Sequence, residues 1–323
     1  MTINLFYLSP NTTGGWVTFT YHLHQSLRRA GLKCRLLKVG GKTENKLREF
    51  GYDLQYRNVD LPDALITAQE YPTLIVAAAK KYKEQTEALL RAGSKIVVHD
   101  PTEFKNLPGN LEQERCVVIR KASLAHLPKA RFIRHPYVLM PTDNLRSERQ
   151  LAVSTCRIDF DKNTHILLDA NRILREKISI YGFENRLYTR FKICPRYPEW
   201  EQSKVAYPRT PDAAFNILKR AKYAVDMSII KGDGGGTQYS FLEAWDAGAV
   251  PIIHKDWVMK GDDMIPGENC LAVSSGDELA ALLGSYSPTA EANRLHYADK
   301  GRERIKIYHD VGLEYEEFLN AGH

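Results

Sequence analysis

The sequence predicts an α/β protein of two domains, each built on a parallel sheet. Three observations lead there. Short apolar runs of strand length alternate with helix-length segments from the N-terminus onward. Residues 224–253 spell a complete strand, glycine loop, helix and second strand. The chain has 323 residues, enough for two sizeable cores.

Residues 3–8 form the first predicted strand, followed by the turn Ser9-Pro10-Asn11-Thr12-Thr13-Gly14-Gly15. A helix is expected over 16–30, closed by Gly31, and then a strand over 34–39. This is a βαβ opening, although the third glycine of a dinucleotide-binding fingerprint is missing. Two more buried strands are expected at 74–79 and 95–98, with a helix over 81–91 between them. His99-Asp100-Pro101 stands at the carboxyl end of the second. A polar pair in that position either faces a site or caps the following turn. Short strands at 116–119 and 132–133 end this half, and the prolines and polar residues from His135 to Gln150 read as a linker.

The second half begins with a strand over 151–155, then a helix at 164–175 and a strand at 178–181 ending at Gly182. A strand over 191–194 precedes the loop Arg196-Tyr197-Pro198-Glu199-Trp200. Residues 224–230 form the next strand, Gly232 to Gly236 a glycine-rich turn, 237–247 a helix stopped by Gly248, and 249–253 a strand. Glycines let a backbone approach a phosphate or sugar closely, and the helix behind them offers free N–H groups and a positive dipole end. Glu243 lies in the second turn of that helix within an apolar run. Such a carboxylate could accept two hydrogen bonds from a ribose diol, or it could simply face solvent. A loop at 262–266, a strand at 269–273 and helices at 279–283, 291–308 and 313–319 complete the chain.

The segment Tyr239-Ser240-Phe241-Leu242-Glu243-Ala244-Trp245-Asp246-Ala247-Gly248, continued by Val250-Pro251-Ile252-Ile253, resembles the nucleotide-sugar motif of retaining glycosyltransferases of the GT-B fold. It is most similar to the phage α-glucosyltransferases that act on 5-hydroxymethylcytosine in DNA. Larger members of the fold carry two glutamates here; the first position is Gly235 in this chain, which leaves Glu243 as the ribose-binding one. The resemblance implies two Rossmann-like domains with a cleft between them: an acceptor-side domain over 1–145, a nucleotide-sugar domain over 150–305, and a terminal helix over 306–323 that packs back on the first. It implies a diphosphate clamp of Arg157 and Lys162, five positions apart after the second domain's first strand. Gly14, Gly15, Gly182, Asp233, Gly234, Gly235, Gly236, Thr237, Gln238 and Tyr239 join Glu243 as donor-binding positions, Gly182 giving room for the nucleotide. His99 and Asp100 stand beside the acceptor hydroxymethyl group, with Asp100 accepting a proton or orienting the hydroxyl. No cofactor is implied; a UDP-sugar such as UDP-glucose or UDP-arabinose is the co-substrate, and metal is dispensable.

Net charge is +6 and unevenly spread. Residues 115–149 hold eight Lys or Arg against two acids, and residues 186–222 hold nine against three. Such runs are either solvated faces or the footprint of a polyanion. The DNA candidates are Arg115, Arg120, Lys121, Lys129, Arg131 and Arg134 in the first stretch, and Arg190, Lys192, Arg196 and Lys204 in the second. Five scattered cysteines without metal-ligand spacing read as reduced cytoplasmic thiols, and no apolar run reaches membrane-spanning length. The expectation is therefore a cytoplasmic, monomeric enzyme, in a host cell if phage-encoded, glycosylating hydroxymethylated pyrimidines in double-stranded DNA. A carbohydrate, lipid or protein acceptor is the alternative. A catalytically silent relative that only binds DNA or nucleotide is a third, which the presence of Arg157, Lys162, Glu243 and Asp100 opposes.

Overall fold

The computed structural model describes residues 1–9, 15–40, 54–100, 103–104, 107–140, 149–200, 204–205, 211–229, 236–258, 263–285 and 287–321. They form two compact units, Met1–Val138 with Tyr308–His323, and Leu139–Ile307. Among the described residues no helix is long and apolar enough to cross a membrane.

The first unit runs β1 (Thr2–Leu8), α1 (Gly15–Arg29), β2 (Lys33–Val39), β3 (Arg57–Val59), α2 (Leu61–Glu70), β4 (Thr73–Ala78), α3 (Lys83–Arg91), β5 (Lys95–Val98), β6 (Cys116–Val118) and β7 (Arg131–Phe132). Its sheet is parallel throughout, in the order β3-β2-β1-β4-β5-β6-β7. Helices cover both faces, so β1 buries nearly every residue rather than alternate ones. Val17, Phe19, Leu23 and Leu27 give α1 its buried stripe. The helix ends in a left-handed Gly31 (φ 81°), with Leu32 N–H donating to Leu27 O and Gly31 N–H to Arg28 O.

The second unit contains β8 (Gln150–Ser154), α4 (Thr164–Ile173), β9 (Ser179–Tyr181), a helical turn α5 (Arg186–Tyr188), β10 (Lys204–Val205), α6 (Pro211–Lys219), β11 (Ala221–Asp226), α7 (Tyr239–Asp246), β12 (Val250–His254), β13 (Leu271–Val273), α8 (Gly276–Gly284) and α9 (Pro288–Tyr308). Its parallel sheet has the order β10-β9-β8-β11-β12-β13. The layers are tight enough to require glycine twice. A Cβ on Gly276 would lie 2.5 Å from Asp169 Cβ on α4, and one on Gly301 would lie 2.1 Å from the Trp245 ring. The last helix, α10 (Gly312–Asn320), belongs to the first unit. Lys95, buried at the start of β5, donates to its terminal carbonyls, Phe318 O, Leu319 O (3.2 Å) and Ala321 O (2.6 Å).

The expected strand at 191–194 is wrong. Asn185 accepts N–H bonds from Leu187 and Tyr188 and starts α5, which continues as a π-helical turn over Thr189–Ile193. Buried Ile193 and exposed Phe191 imitate strand alternation while lying on opposite sides of that turn. The strand expected at 224–230 begins earlier and leaves the sheet after Asp226. The helix expected from Thr237 begins at Tyr239, because the Thr237 hydroxyl is held by Asp263 (2.6 Å) and Gln238 is extended. β3, α2, β10 and α6 are additional to the expected elements.

Candidate active site

Two strands that leave a parallel sheet to opposite sides open a crevice at their carboxyl ends. In the second unit these are β8, flanked by β9 and β11, and β11 itself. Lys162, buried ahead of α4, donates from Nζ to Ser228 Oγ (2.5 Å) and Gln238 Oε1 (3.2 Å). Ser228 in turn donates its hydroxyl to Asp226 Oδ1, and Ser240 donates to Asp226 Oδ2 (2.7 Å). Burial would raise the Asp226 pKa, but the Lys162 charge and hydrogen bonds from Ser228, Cys156 and Ser240 outweigh it and hold the carboxyl low. The lysine is thus fixed by hydroxyl and amide partners around one ionised acid. Gln238 Nε2 is buried with no partner among the described residues, a donor left over beside the ammonium.

Glu243, one turn into α7, is half-buried. No hydrogen bond or ion pair holds its carboxyl among the described residues. Burial, then the nearby Asp246 charge, pushes its pKa up to about 7. Among the described residues the carboxyl therefore keeps its capacity to accept hydrogen bonds. Gly236 adopts a left-handed φ of 97°, and its carbonyl accepts from Trp257 Nε1 (2.7 Å). Thr237, bonded to Asp263, is anchored in turn by Arg304 Nε on Asp263 Oδ1 (3.2 Å). The end of the glycine turn is therefore latched from two sides, which presents the first N–H groups of α7 in a fixed direction. Tyr239 is that helix's first residue.

Arg157 is largely exposed, its guanidinium resting on Asp159 (3.2 Å) and Asp161 (3.3 Å). Gly182 is demanded by the backbone, since a Cβ there would lie 2.0 Å from Cys156 O at φ 136°. The space its missing side chain leaves is occupied by the chain's own Cys156 carbonyl. Gly15 begins α1, and among the described residues nothing lies within 4 Å of where its Cβ would be. Gly14, Asp233, Gly234 and Gly235 lie outside the described residues.

At the carboxyl end of β5 in the first unit, His99 is buried and donates from Nε2 to Val76 O (2.8 Å). Burial first, with Arg120 nearby, lowers its pKa to about 4 against the opposing pull of the Val76 bond and Asp100. It is a neutral ring with one nitrogen already committed, poorly placed to shuttle protons. Asp100 is half-buried beside it. Glu103 completes the group: Oε2 accepts from His99 N–H (2.8 Å) and Oε1 from Trp16 Nε1 (2.9 Å). Burial, then the Asp100 charge, pushes Glu103 up to about 8.

The two basic stretches differ in what their cations do. Arg115 meets Glu112 (2.9 Å), Lys129 meets Glu114 (3.1 Å) and Arg131 meets Glu317 (2.9 Å). Arg134 lies over the Tyr308 and Phe132 rings, Lys121 also over Phe132, and Arg120 follows β6. In the second unit Arg190, Lys192 and Arg196 form no ion pair among the described residues; Arg190 covers Phe191 and Arg196 covers Tyr197. Lys204 opens β10.

The sequence reading missed Asp226, Ser228, Ser240, Glu103 and Trp16. Asp226 had a signal, an acid ending the apolar run Tyr223-Ala224-Val225. The contact of Trp16 with Glu103 spans 87 positions and had none.

A family model described as glycosyl transferase-like matches residues 165–320. No protein of curated function matches the chain in sequence. Solved structures match over nearly the whole length. An alpha-glucosyltransferase in complex with UDP and a 13-mer DNA containing a central A:G mismatch is 11% identical, with a TM-score of 0.73 and 99% of each chain covered. Anabaena HepE in complex with UDP and glucose is 12% identical, with a TM-score of 0.70, covering 98% of this chain and 99% of that one. A mutant of S. aureus TarM in complex with fondaparinux, alpha-GlcNAc-glycerol and UDP is 9% identical, with a TM-score of 0.71, covering 98% and 100%. These likenesses establish the fold, which is GT-B.

Proposed function

We propose that the protein is a glycosyltransferase that takes a sugar from a UDP-sugar and transfers it, with retention, to a hydroxymethylated pyrimidine in DNA. The observation that carries the donor half is Glu243: a half-buried carboxyl without a partner among the described residues, on the helix that follows the glycine turn. In this reading it accepts from the ribose diol, Lys162 and Arg157 meet the diphosphate, and the N–H groups of α7 and Gln238 Nε2 complete the donor's polar contacts. Arg157 reaches the phosphates by leaving Asp159 and Asp161, exposed pairs that cost little to break. The bond between the anomeric carbon and the β-phosphate oxygen breaks, UDP departs with the electron pair, and the acceptor oxygen bonds the same carbon. Asp100 orients the acceptor hydroxyl and takes its proton, and its backbone carbonyl accepts from Glu103 N–H (3.1 Å).

The DNA acceptor is supported by Arg190, Lys192 and Arg196, which form no ion pair among the described residues, and by the fold shared with an alpha-glucosyltransferase in complex with UDP and a 13-mer DNA. HepE and TarM have the same fold at similar TM-scores, which supports a carbohydrate acceptor as the second reading. Mass spectrometry of hydroxymethylated and unmodified DNA incubated with UDP-glucose, UDP-arabinose and other UDP-sugars tests the proposal. A hexose or pentose mass added to the hydroxymethylated strand alone is expected. Transfer to a free glycan with none to DNA would replace it by the second reading.

A further inference from the structure

The second unit carries a pocket of about 450 Å³ that the donor reading does not use. Its walls include Phe160, His165, Tyr188, Phe191, Lys192 and Arg196. Three features separate it from a simple fold in the surface. Phe160 and Phe191 leave 55% and 61% of their surface in water, an unfavourable placement for two large apolar side chains at one opening. Phe160 is held edge-on against Tyr188 (centroids 5.1 Å apart), so its ring is braced. Lys192 and Arg196 contribute positive charge with no ion pair among the described residues. His165 adds none, because burial, with Arg196 and His254 near it, lowers its pKa against the pull of Asp169.

Arg190 lies over one side of Phe191, and largely exposed aromatic rings beside cations that form no ion pair among the described residues match a ligand that has both flat bases and phosphates. A neutral sugar would leave the cations unused. The two phosphates of a UDP-sugar already have Lys162, Arg157 and the start of α7, so further cations call for further phosphates. We propose that this pocket binds one unpaired nucleotide of a nucleic-acid strand, with its base on the Phe160 and Phe191 rings and its flanking phosphates on Lys192 and Arg196. The inference rests on the reading of DNA as acceptor and gives it a specific foothold. An enzyme that acts on a base must withdraw it from the duplex, which leaves an unstacked nucleotide to be held.

The test uses the full chain, a fluorescein-labelled oligothymidylate, heparin and UDP, with affinities read by anisotropy and calorimetry. Phe160→Ala and Phe191→Ala should each weaken oligonucleotide binding about tenfold at fixed salt. UDP affinity and the melting curve should stay unchanged, since both rings lie at the surface. Lys192→Ala with Arg196→Ala should lower the slope of log affinity against log salt by roughly 0.7 per lost phosphate contact. If the Phe variants weaken UDP and spare the oligonucleotide, the pocket belongs to the donor's base and the proposal fails. If they weaken heparin and spare the oligonucleotide, an anionic polysaccharide replaces the nucleotide. Oligonucleotide binding unaffected by all four substitutions would also overturn the pocket's role, while leaving DNA as acceptor to be judged by the mass-spectrometric assay.

Discussion

The two parallel sheets end in rims of opposite character. At the β8/β11 rim the buried groups are wired yet leave capacity over: Lys162 is positioned by Ser228 and Gln238, while Gln238 Nε2 and the Glu243 carboxyl have no partner among the described residues. At the β5 rim the buried groups close on each other: His99 is bonded to Val76, and Glu103 to both His99 and Trp16. Asp100 is half-buried there, as is the nearby Arg120. The difference separates two kinds of polar cluster that sequence motifs treat alike. A cluster that leaves donors and acceptors over is built for a ligand; one that consumes them is built to hold a neighbouring group in place. Substitutions should therefore divide the same way, some acting on binding and turnover, others on stability.

The largest effect is expected at Asp100. If Asp100 takes the acceptor's proton as proposed, Asp100→Asn should lower turnover by about 10²- to 10⁴-fold. Affinity for UDP and for DNA should be spared. Turnover within a few-fold of wild type would mean that Asp100 only caps its turn, and the β5 rim would then be wholly structural.

If Lys162 meets the donor's diphosphate as proposed, Lys162→Ala should cost about 10²- to 10³-fold in turnover, because that diphosphate grows more negative as the sugar leaves. It should also destabilise the fold, since Asp226 loses the countercharge that keeps it ionised. Lys162→Ala combined with Asp226→Asn separates the two effects. Stability should recover and turnover should not. Recovery of both would place Lys162 among the holding groups and dissolve the contrast between the rims.

Glu103 gives a pH signature in place of a catalytic one. Its folded pKa, about 8, lies above the ordinary carboxylate value. Between about pH 4.5 and 8 the folded state keeps a proton that the unfolded state has lost, so stability falls as pH rises through that window. The slope is at most about 1.4 kcal/mol per pH unit for one group. Glu103→Gln cannot ionise and should flatten the fall between pH 5 and 8 in chemical denaturation. Its amide can accept only one of the two N–H bonds from His99 and Trp16, so a small loss at pH 5 should accompany the flattening. An unchanged slope would show that Glu103 is ionised in the fold.

Much of the fold was legible because buried parallel strands are near-continuous apolar runs, and β1, β4, β5 and β12 have that form. The helix around Glu243 was legible from its glycine stop. What escaped depended on contacts distant in sequence or on elements too short for a period. β10 has two residues, and the π-helical turn over Thr189–Ile193 mimics a strand. α2 had a readable start, with Asp60 accepting from Asp63 N–H (2.9 Å) and a proline in its first turn. The Asp226–Ser228–Lys162 cluster joins two loops that only the strand order brings together, and no local pattern encodes strand order.

The smallest effect is also the most specific to the β8/β11 rim. Glu243 has a pKa of about 7, set by burial and by Asp246. A ribose diol donates its hydroxyl protons, so it bonds the ionised carboxylate and gains less from the neutral acid. Donor affinity should accordingly rise with pH, by up to about tenfold between pH 6 and pH 8 if only the ionised form binds. Glu243→Gln keeps the side chain's shape and one acceptor but does not titrate. Its UDP affinity should be weaker than wild type at pH 8 and close to it at pH 6. Calorimetry with UDP at the two pH values reads this directly; the phosphates of UDP titrate in both proteins, so the difference between them isolates Glu243. If wild type and Glu243→Gln change in parallel, the carboxyl does not touch the ribose. Glu243 would then be a buried acid held by its own helix, and the donor-side rim would resemble the β5 rim after all.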